Sequence, residues 1–387
     1  MSRAGPLRVF VIAGETSGDH LGAPLMRSLA ARDDVRFQGI GGEEMAAAGL
    51  ESLFPIDELA IMGFSAIPAK LPLILRRIRQ AADAVVAAKP DVLVIIDSPD
   101  FTHRVARRVR KALPQLPVVD YVSPSVWAWR PGRARAMRRY VDHVLALLPF
   151  EPESHARLGG PPCTYVGHPL VEQVAKLRPN ADEARRRAAD PPRLLVLPGS
   201  RSGEIARHLD LFGATVARCV EAIGPVEAVL PTLPHLAARI EAATATWPVA
   251  PKLIVETDEK WQAFRTARAA LAASGTVTLE LALAGIPTVV AYRVSLMEEA
   301  IVKPLLRVPS IVLANLVLGD NVMPEILQRQ ATPERLAREL AQVVTDTPER
   351  RRQVDGLARI DQVMDIGAAQ PSVRAAEVIL KVVGRSA

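Results

Sequence analysis

Short apolar, β-branched runs alternate with helically spaced segments along the whole of this 387-residue chain. That alternation admits few folds, because a strand followed by a helix and another strand builds βα units and mainly parallel sheets. In the first half Val9–Ala13, Arg36–Ile40, Val92–Ile96, Val118–Val122 and Val144–Leu148 read as strands, and Leu21–Ala31, Leu71–Ala88 and Thr102–Ala112 as helices. Several strands are apolar throughout, as strands covered on both faces should be. The polar, Arg- and Ala-rich segment Lys176–Pro192 then separates a second series: Leu194–Leu197, Val226–Leu230, Leu253–Val255, Ala269–Ala272 and Thr288–Ala291, with helices starting near Gly203, Asp258, Thr276 and Glu298. The chain is helical from Pro333 onward, and Pro371-Ser372 opens a last helix with Val373, Ala376, Ile379, Leu380 and Val383 at helical spacing. The expectation is an α/β protein of two Rossmann-like domains, over residues 1–175 and 190–365. Residues 366–387 should form a C-terminal helix that packs back on the first domain or on a partner subunit in a homodimer.

The length suits two domains at roughly 100–200 residues each. No stretch approaches the roughly 18 consecutive apolar residues of a membrane-spanning helix. The first strand begins within a few residues of Met1, with no basic leader and separate apolar core before it, so a cytoplasmic location is expected. Cys163 and Cys219 lack metal-ligand spacing and read as reduced packing residues. The net charge of +6 conceals an asymmetry: Arg104–Tyr140 holds nine Arg and one Lys against Asp120 alone, a local +9. Such a cluster suits an anionic partner, a phosphorylated substrate or an anionic membrane surface. Nucleic acid is disfavoured, since no nucleic-acid-binding signature accompanies the charge and aromatics are only 4% of the chain.

Several loops carry chemistry. Gly14-Glu15-Thr16-Ser17-Gly18-Asp19 follows the first strand, where parallel sheets open onto a ligand crevice; its glycines allow close backbone approach, and Ser17 or Asp19 alternatively caps a helix. Asp97-Ser98-Pro99-Asp100 ends another strand and offers a general base, with helix capping the alternative for Asp100. In YVSPSVWAWRPGR, Ser123-Pro124-Ser125 and Pro131-Gly132 frame Trp127, Trp129 and Arg130 as a turn suited to sugar rings or acyl chains, unless the tryptophans are simply a buried pair. His168 reads as structural. Gly199-Ser200-Arg201 is a glycine turn before an Arg whose planar fork suits diphosphate oxygens. Ser274-Gly275-Thr276 opens a helix whose free N–H groups suit a phosphate, and Glu280, about one turn on, suits ribose hydroxyls or is a solvated charge. Ile56–Leu75 is strongly apolar, with Met62 and Phe64 at its centre and Arg76, Arg77 and Arg79 after it; it either docks on an anionic leaflet or completes the first core.

The segments GETSGDHLGA, DSPDF, YVSPSVWAWR, GHPLV, LPGSR, ASGTVTLELAL and MPEILQ, in this order, resemble the lipid-A-disaccharide synthase family. The resemblance covers most of the chain. It implies a glycosyltransferase B fold and an inverting, metal- and cofactor-independent transfer. UDP-2,3-diacylglucosamine would be the donor, 2,3-diacylglucosamine 1-phosphate the acceptor, and the β-1,6-linked disaccharide and UDP the products, at the inner face of the cytoplasmic membrane. On this reading Asp100 is the base, with Asp97 or Glu15 in reserve. Gly199–Arg201, Ser274–Thr276, Glu280 and Asn315 bind the donor, while Ser17, Asp19, Met62, Phe64, Ser125, Trp127, Trp129 and Arg130 meet the acceptor or lipid. Ala314 stands before Asn315 where the family pattern has Pro, and Asp320-Asn321 replaces an Arg-Glu pair. A UDP-sugar epimerase, a transferase with a soluble acceptor and a non-catalytic nucleotide- or lipid-binding module are the rival readings.

Overall fold

The computed structural model describes residues 5–59, 67–302, 304–365 and 369–385. The chain divides into two compact units, Met1–Pro169 with Gly367–Ala387, and Leu170–Ile366. In the first unit, β1 (Leu7–Ala13), β2 (Val35–Ile40), β3 (Val92–Ile96), β4 (Val118–Tyr121), β5 (His143–Ala146) and β6 (Cys163–Tyr165) form one sheet of order β2-β1-β3-β4-β5-β6. All its pairings are parallel. β1 has β2 on one side and β3 on the other, so the chain reverses its direction of travel across the sheet between these two strands.

Helices therefore go to opposite faces. Helix Thr16–Ala30, after β1, buries Leu25, Met26 and Leu29 with Val9, Val11 and Ala13. Helix Pro99–Ala112, after β3, buries Val105, Ala106 and Val109 with Phe10 and Ile12. The alternation of β1 side chains between the two faces is the period-2 geometry of a strand. Between the diverging helices the two loops touch: a Cβ built on Gly14 would lie 2.3 Å from Ser98 Cβ, so only glycine fits there.

The second unit repeats the plan. β7 (Arg193–Leu197), β8 (Glu227–Pro231), β9 (Lys252–Ile254), β10 (Ala269–Ala273), β11 (Thr288–Tyr292) and β12 (Glu325–Leu327) make a parallel sheet of order β12-β11-β10-β7-β8-β9, with the reversal between β7 and β10. Helix Ser202–Ile223 packs Ile205, Leu209 and Phe212 into its core. The edge strands β6 and β12 go unread in the sequence because three residues, with Thr164 inside one and Glu325 opening the other, display neither a period nor an apolar run. Cys163 and Cys219 are free and lie in different units; burial pushes both thiols up, Cys219 to about 12.

The last helix, Pro371–Val382, lies on helix Thr16–Ala30 of the first unit, with Ala375, Ala376, Ile379 and Leu380 fully buried. Arg374 Nη2 donates to the Tyr165 carbonyl at 2.9 Å, and Arg385 pairs with Asp33 at 2.6 Å. Replacing Ile379 by Ala should destabilise this unit by about 2–5 kcal/mol through lost burial and a residual cavity. Denaturant unfolding followed by hydrogen exchange in Leu7–Ala13 and Thr16–Ala30 checks this, and an unchanged midpoint would show that the helix is dispensable.

Candidate active site

In the second unit a cavity of about 580 Å³ opens at the carboxyl ends of β7 and β10, the switch point of the sheet. Its lining takes in Gly199 to Arg201, Ser274 to Thr276 and Glu280, so these predicted residues come together. Gly199 has φ +111°, and a Cβ there would lie 2.7 Å from Glu204 Cβ and Oε2. Glu204 explains the tightness. Its Oε2 accepts the backbone N–H groups of Ser200 and Arg201, both at 3.3 Å, and its Oε1 accepts Arg201 Nη1 at 3.0 Å. The Arg201 side chain nevertheless remains 81% exposed, with further guanidinium donors free to meet an anion.

Glu280 does not stand alone on its helix. Lys260 Nζ lies 3.4 Å from its Oε2 and 4.4 Å from the centre of the Trp261 ring, and both residues line the cavity. Asn315 falls outside the cavity lining. It is buried at 2% exposure, with Nδ2 donating to Asn321 Oδ1 and the Met323 carbonyl and Oδ1 accepting Met323 N–H, so its amide is spent on holding the 310–323 segment. The departure at Asp320-Asn321 has a structural counterpart: Asn321 supplies that bond, and Asp320 pairs with Arg359 at 3.0 Å.

In the first unit the loops after β1, β3 and β4 share the carboxyl edge of the sheet. Ser17 Oγ donates to Asp97 Oδ2 at 2.8 Å, and Ser98 N–H donates to Oδ1 at 2.7 Å. Asp97 and Ser98 both sit in the left-handed region, φ 53° and 46°, a cost of roughly 1–3 kcal/mol each that folded proteins retain mainly at working sites. Asp100 differs: its carboxylate is 80% exposed and pairs with Arg133 at 3.1 Å. Glu15 is exposed and extended at the start of helix Thr16–Ala30. Asp19 is buried at 3%, and its carboxylate accepts the N–H groups of Gly42, Glu44 and Met45. It caps helix Glu43–Ala47, so its oxygens are taken.

The aromatic turn divides by burial. Trp127 is half-buried, edge-on to Phe150 with ring centres 5.0 Å apart, and its Nε1 donates to Glu151 at 3.0 Å. Trp129 is 39% exposed with the Arg130 guanidinium 4.2 Å above its ring, and Ser125 is exposed beside it. Met62 and Phe64 lie outside the described residues. Leu71 and Leu75 on helix Ile67–Ala88 are 42% and 44% exposed, followed by exposed Arg76 and Arg79.

Beneath the turn lies a polar group that sequence reasoning missed. Asp120, 1% exposed, sits 3.1 Å from His103 Nε2 without a well-aligned hydrogen bond, and His103 Nδ1 meets the Tyr140 hydroxyl at 3.1 Å. Ser123 Oγ meets His155 Nε2 at 2.8 Å, and burial lowers the His155 pKa. Burial pushes the Glu151 carboxyl up to about 7, against the opposing bonds from Trp127 and Leu148 N–H. Only the local charge asymmetry hinted that Asp120 was unusual. Among the described residues, no cluster of three or more His, Cys, Asp or Glu is placed to hold a metal ion.

Two parallel Rossmann-like sheets, each with its polar loops at a switch point, define a protein of the glycosyltransferase B fold. Similar solved structures include UDP-GlcNAc 2-epimerase from Neisseria meningitidis bound to UDP-GlcNAc (TM-score 0.63, 14% identity, 97% of this chain and 100% of that one). The calicheamicin glycosyltransferase CalG4 is also similar (TM-score 0.58, 17% identity, 99% of each chain). At such identities the likeness concerns the fold alone. A family model described as Lipid-A-disaccharide synthetase matches residues 9–379. The lipid-A-disaccharide synthase of Nitrobacter hamburgensis is 60% identical over 376 residues, 97% of this chain and 95% of that protein. That of Bradyrhizobium diazoefficiens is 58% identical over 375 residues, 96% of each. The chain belongs to the lipid-A-disaccharide synthase family.

The raised Glu151 pKa carries a sign. A carboxyl whose folded pKa exceeds its unfolded value stabilises the fold fully below the unfolded value, and that stability is lost as pH rises through the folded one. Between about pH 4.5 and 7 the wild type should therefore lose on the order of 3 kcal/mol relative to Glu151→Gln. Urea unfolding of both proteins across that range tests it, and parallel pH profiles would refute the raised pKa.

Proposed function

We infer that the chain is a glycosyltransferase that forms the lipid A disaccharide from a UDP-sugar donor and a sugar-phosphate acceptor. Membership of the family over nearly its whole length carries this reading. The cavity at the β7/β10 switch point, with Arg201 exposed on its wall, supplies the matching chemistry. In finer detail, the donor is UDP-2,3-diacylglucosamine and the nucleophile is the 6-hydroxyl of 2,3-diacylglucosamine 1-phosphate. The reaction is a single displacement with inversion: the acceptor oxygen bonds to the anomeric carbon, the bond to the β-phosphate oxygen breaks, and the hydroxyl proton passes to a carboxylate. Arg201 and the N–H groups of Ser274–Thr276 stabilise charge on the departing UDP, a preorganised electrostatic role that needs no metal. The epimerase reading has only the fold in its favour.

Geometry favours Asp97 over Asp100 as the base. Ser17 orients the Asp97 carboxylate in a strained, half-buried loop, whereas Asp100 is mostly solvated and already neutralised by Arg133. Trp129 and Arg130 remain available to the acceptor sugar and its phosphate. Exposed Leu71 and Leu75 with Arg76 and Arg79, on a helix packed against the Arg-rich helix Pro99–Ala112, suit peripheral docking on an anionic leaflet.

Three outcomes test this reading. Purified protein given both substrates in detergent with EDTA should yield the disaccharide by mass spectrometry; loss of product on chelation would remove the metal-free mechanism. Asp97→Asn should lower kcat by about 10²–10⁴-fold with UDP affinity intact, and Asp100→Asn by less than about tenfold. The reverse ranking would return the role to Asp100. A folded Leu71→Glu/Leu75→Glu variant should lose sedimentation with anionic vesicles, and full retention would place the docking surface elsewhere.

A further inference from the structure

The second unit holds another cavity, of about 610 Å³, with a more apolar wall than the first. Val294, Leu306, Ile311 and Leu327 give it aliphatic walls. Its polar residues are largely turned to internal work: Glu325 Oε2 accepts Ser310 Oγ and Ile311 N–H at 2.9 and 3.0 Å, and Gln328 Oε1 accepts Val294 N–H at 2.9 Å. Of the other charged lining residues, Glu299 is half-buried and Arg329 exposed. Leu306 is itself 38% exposed and its neighbour Leu305 44%, apolar surface that a ligand would cover.

The two cavities meet at one residue. Ser274 lines both, and its hydroxyl donates to the Ile311 carbonyl at 2.7 Å. A cavity with an exposed Arg on its wall thus adjoins a more apolar one of a size that buries most of a small ligand, about 300–1,000 Å³. The molecule that fills both has a nucleoside diphosphate at one end and a hydrocarbon tail at the other. We propose that the aliphatic cavity is a subsite for an acyl chain of the sugar-nucleotide donor. This rests on the donor reading above and deepens it, because it places apolar recognition of the donor within the second unit, beside the nucleotide cavity across Ser274.

Calorimetric titration of the full chain with UDP, and with UDP-glucosamine bearing soluble acyl chains of increasing length, tests the proposal. In the wild type, affinity should rise by about fourfold per added methylene until the cavity is full. Leu306→Trp, which fills the space, and Leu306→Asp, which makes it polar, should flatten that rise while UDP itself binds within about twofold of wild type. Both replace a part-exposed side chain, and UDP binding reports that the unit remains folded. A chain-length dependence identical in wild type and both variants would overturn the acyl subsite and leave the nucleotide site standing. Failure of UDP to bind the wild type would overturn the donor reading, and the subsite with it.

Discussion

Strand order imposes the constraint on which the rest of this molecule depends. In a parallel sheet the crossovers are right-handed, so helices fall on one face while strands are added in one direction and on the other when the direction reverses. At β7/β10 the successive loops therefore diverge and leave a cavity at the carboxyl edge, whereas at β1/β3 the two loops meet there, Gly14 against Ser98 and Ser17 against Asp97. Every polar loop singled out by its composition ends at or beside one of these edges. The sheets are apolar on both faces and fix the strand ends rigidly, so small loop residues can be placed with little freedom.

The loops themselves are anchored from below by buried acids. Asp19 takes three backbone N–H groups, Glu204 takes two and an arginine, and Glu151 takes one together with an indole. A hydrogen bond to a charged group contributes about 1.5–3 kcal/mol, and removing the acceptor also leaves buried donors unpaired. These three carboxylates are themselves buried, which leaves reactive capacity to groups nearer solvent. Asp97, restrained by Ser17 and its own neighbour's N–H, has the intermediate condition a base needs: oriented, part-buried and accessible.

Period and punctuation made the fold legible. Ten of the described strands can be read from the sequence, most of them as apolar runs, and Pro333 and Pro371 mark helix starts to the residue. The loops Gly199–Arg201 and Ser274–Thr276 were legible for the same reason, since turn glycines at strand ends have few other uses. Partnership was not legible. Nothing in the spacing of Asp19 reveals that Gly42, Glu44 and Met45 lie against it, and Asn315 looks like a binding residue until its amide is found bonded to Met323 and Asn321. Contacts between residues distant in sequence depend on crossover geometry, which no local pattern encodes. Lys260, which reaches Glu280, and Trp261, over whose ring its ammonium sits, were missed likewise, because they come from a helix that reads as ordinary surface.

Among the described residues, no helix is long and apolar enough to cross a membrane, and the substrates proposed above carry acyl chains. Carrying a hydrocarbon chain through water costs about 0.8 kcal/mol per methylene, so a long chain needs apolar cover at each stage of its path. A fold of two packed sheets can supply that cover only piecemeal, since its strands are already committed to its own cores. Among the described residues, exposed apolar side chains lie on helix and loop segments outside the sheets, Leu71 and Leu75 in the first unit and Leu305 and Leu306 in the second among them. Each group lies close to charge, Arg76 and Arg79 in one case and the Arg201 cavity across Ser274 in the other. That pairing of hydrocarbon cover with a cation is the chemistry an anionic amphiphile demands.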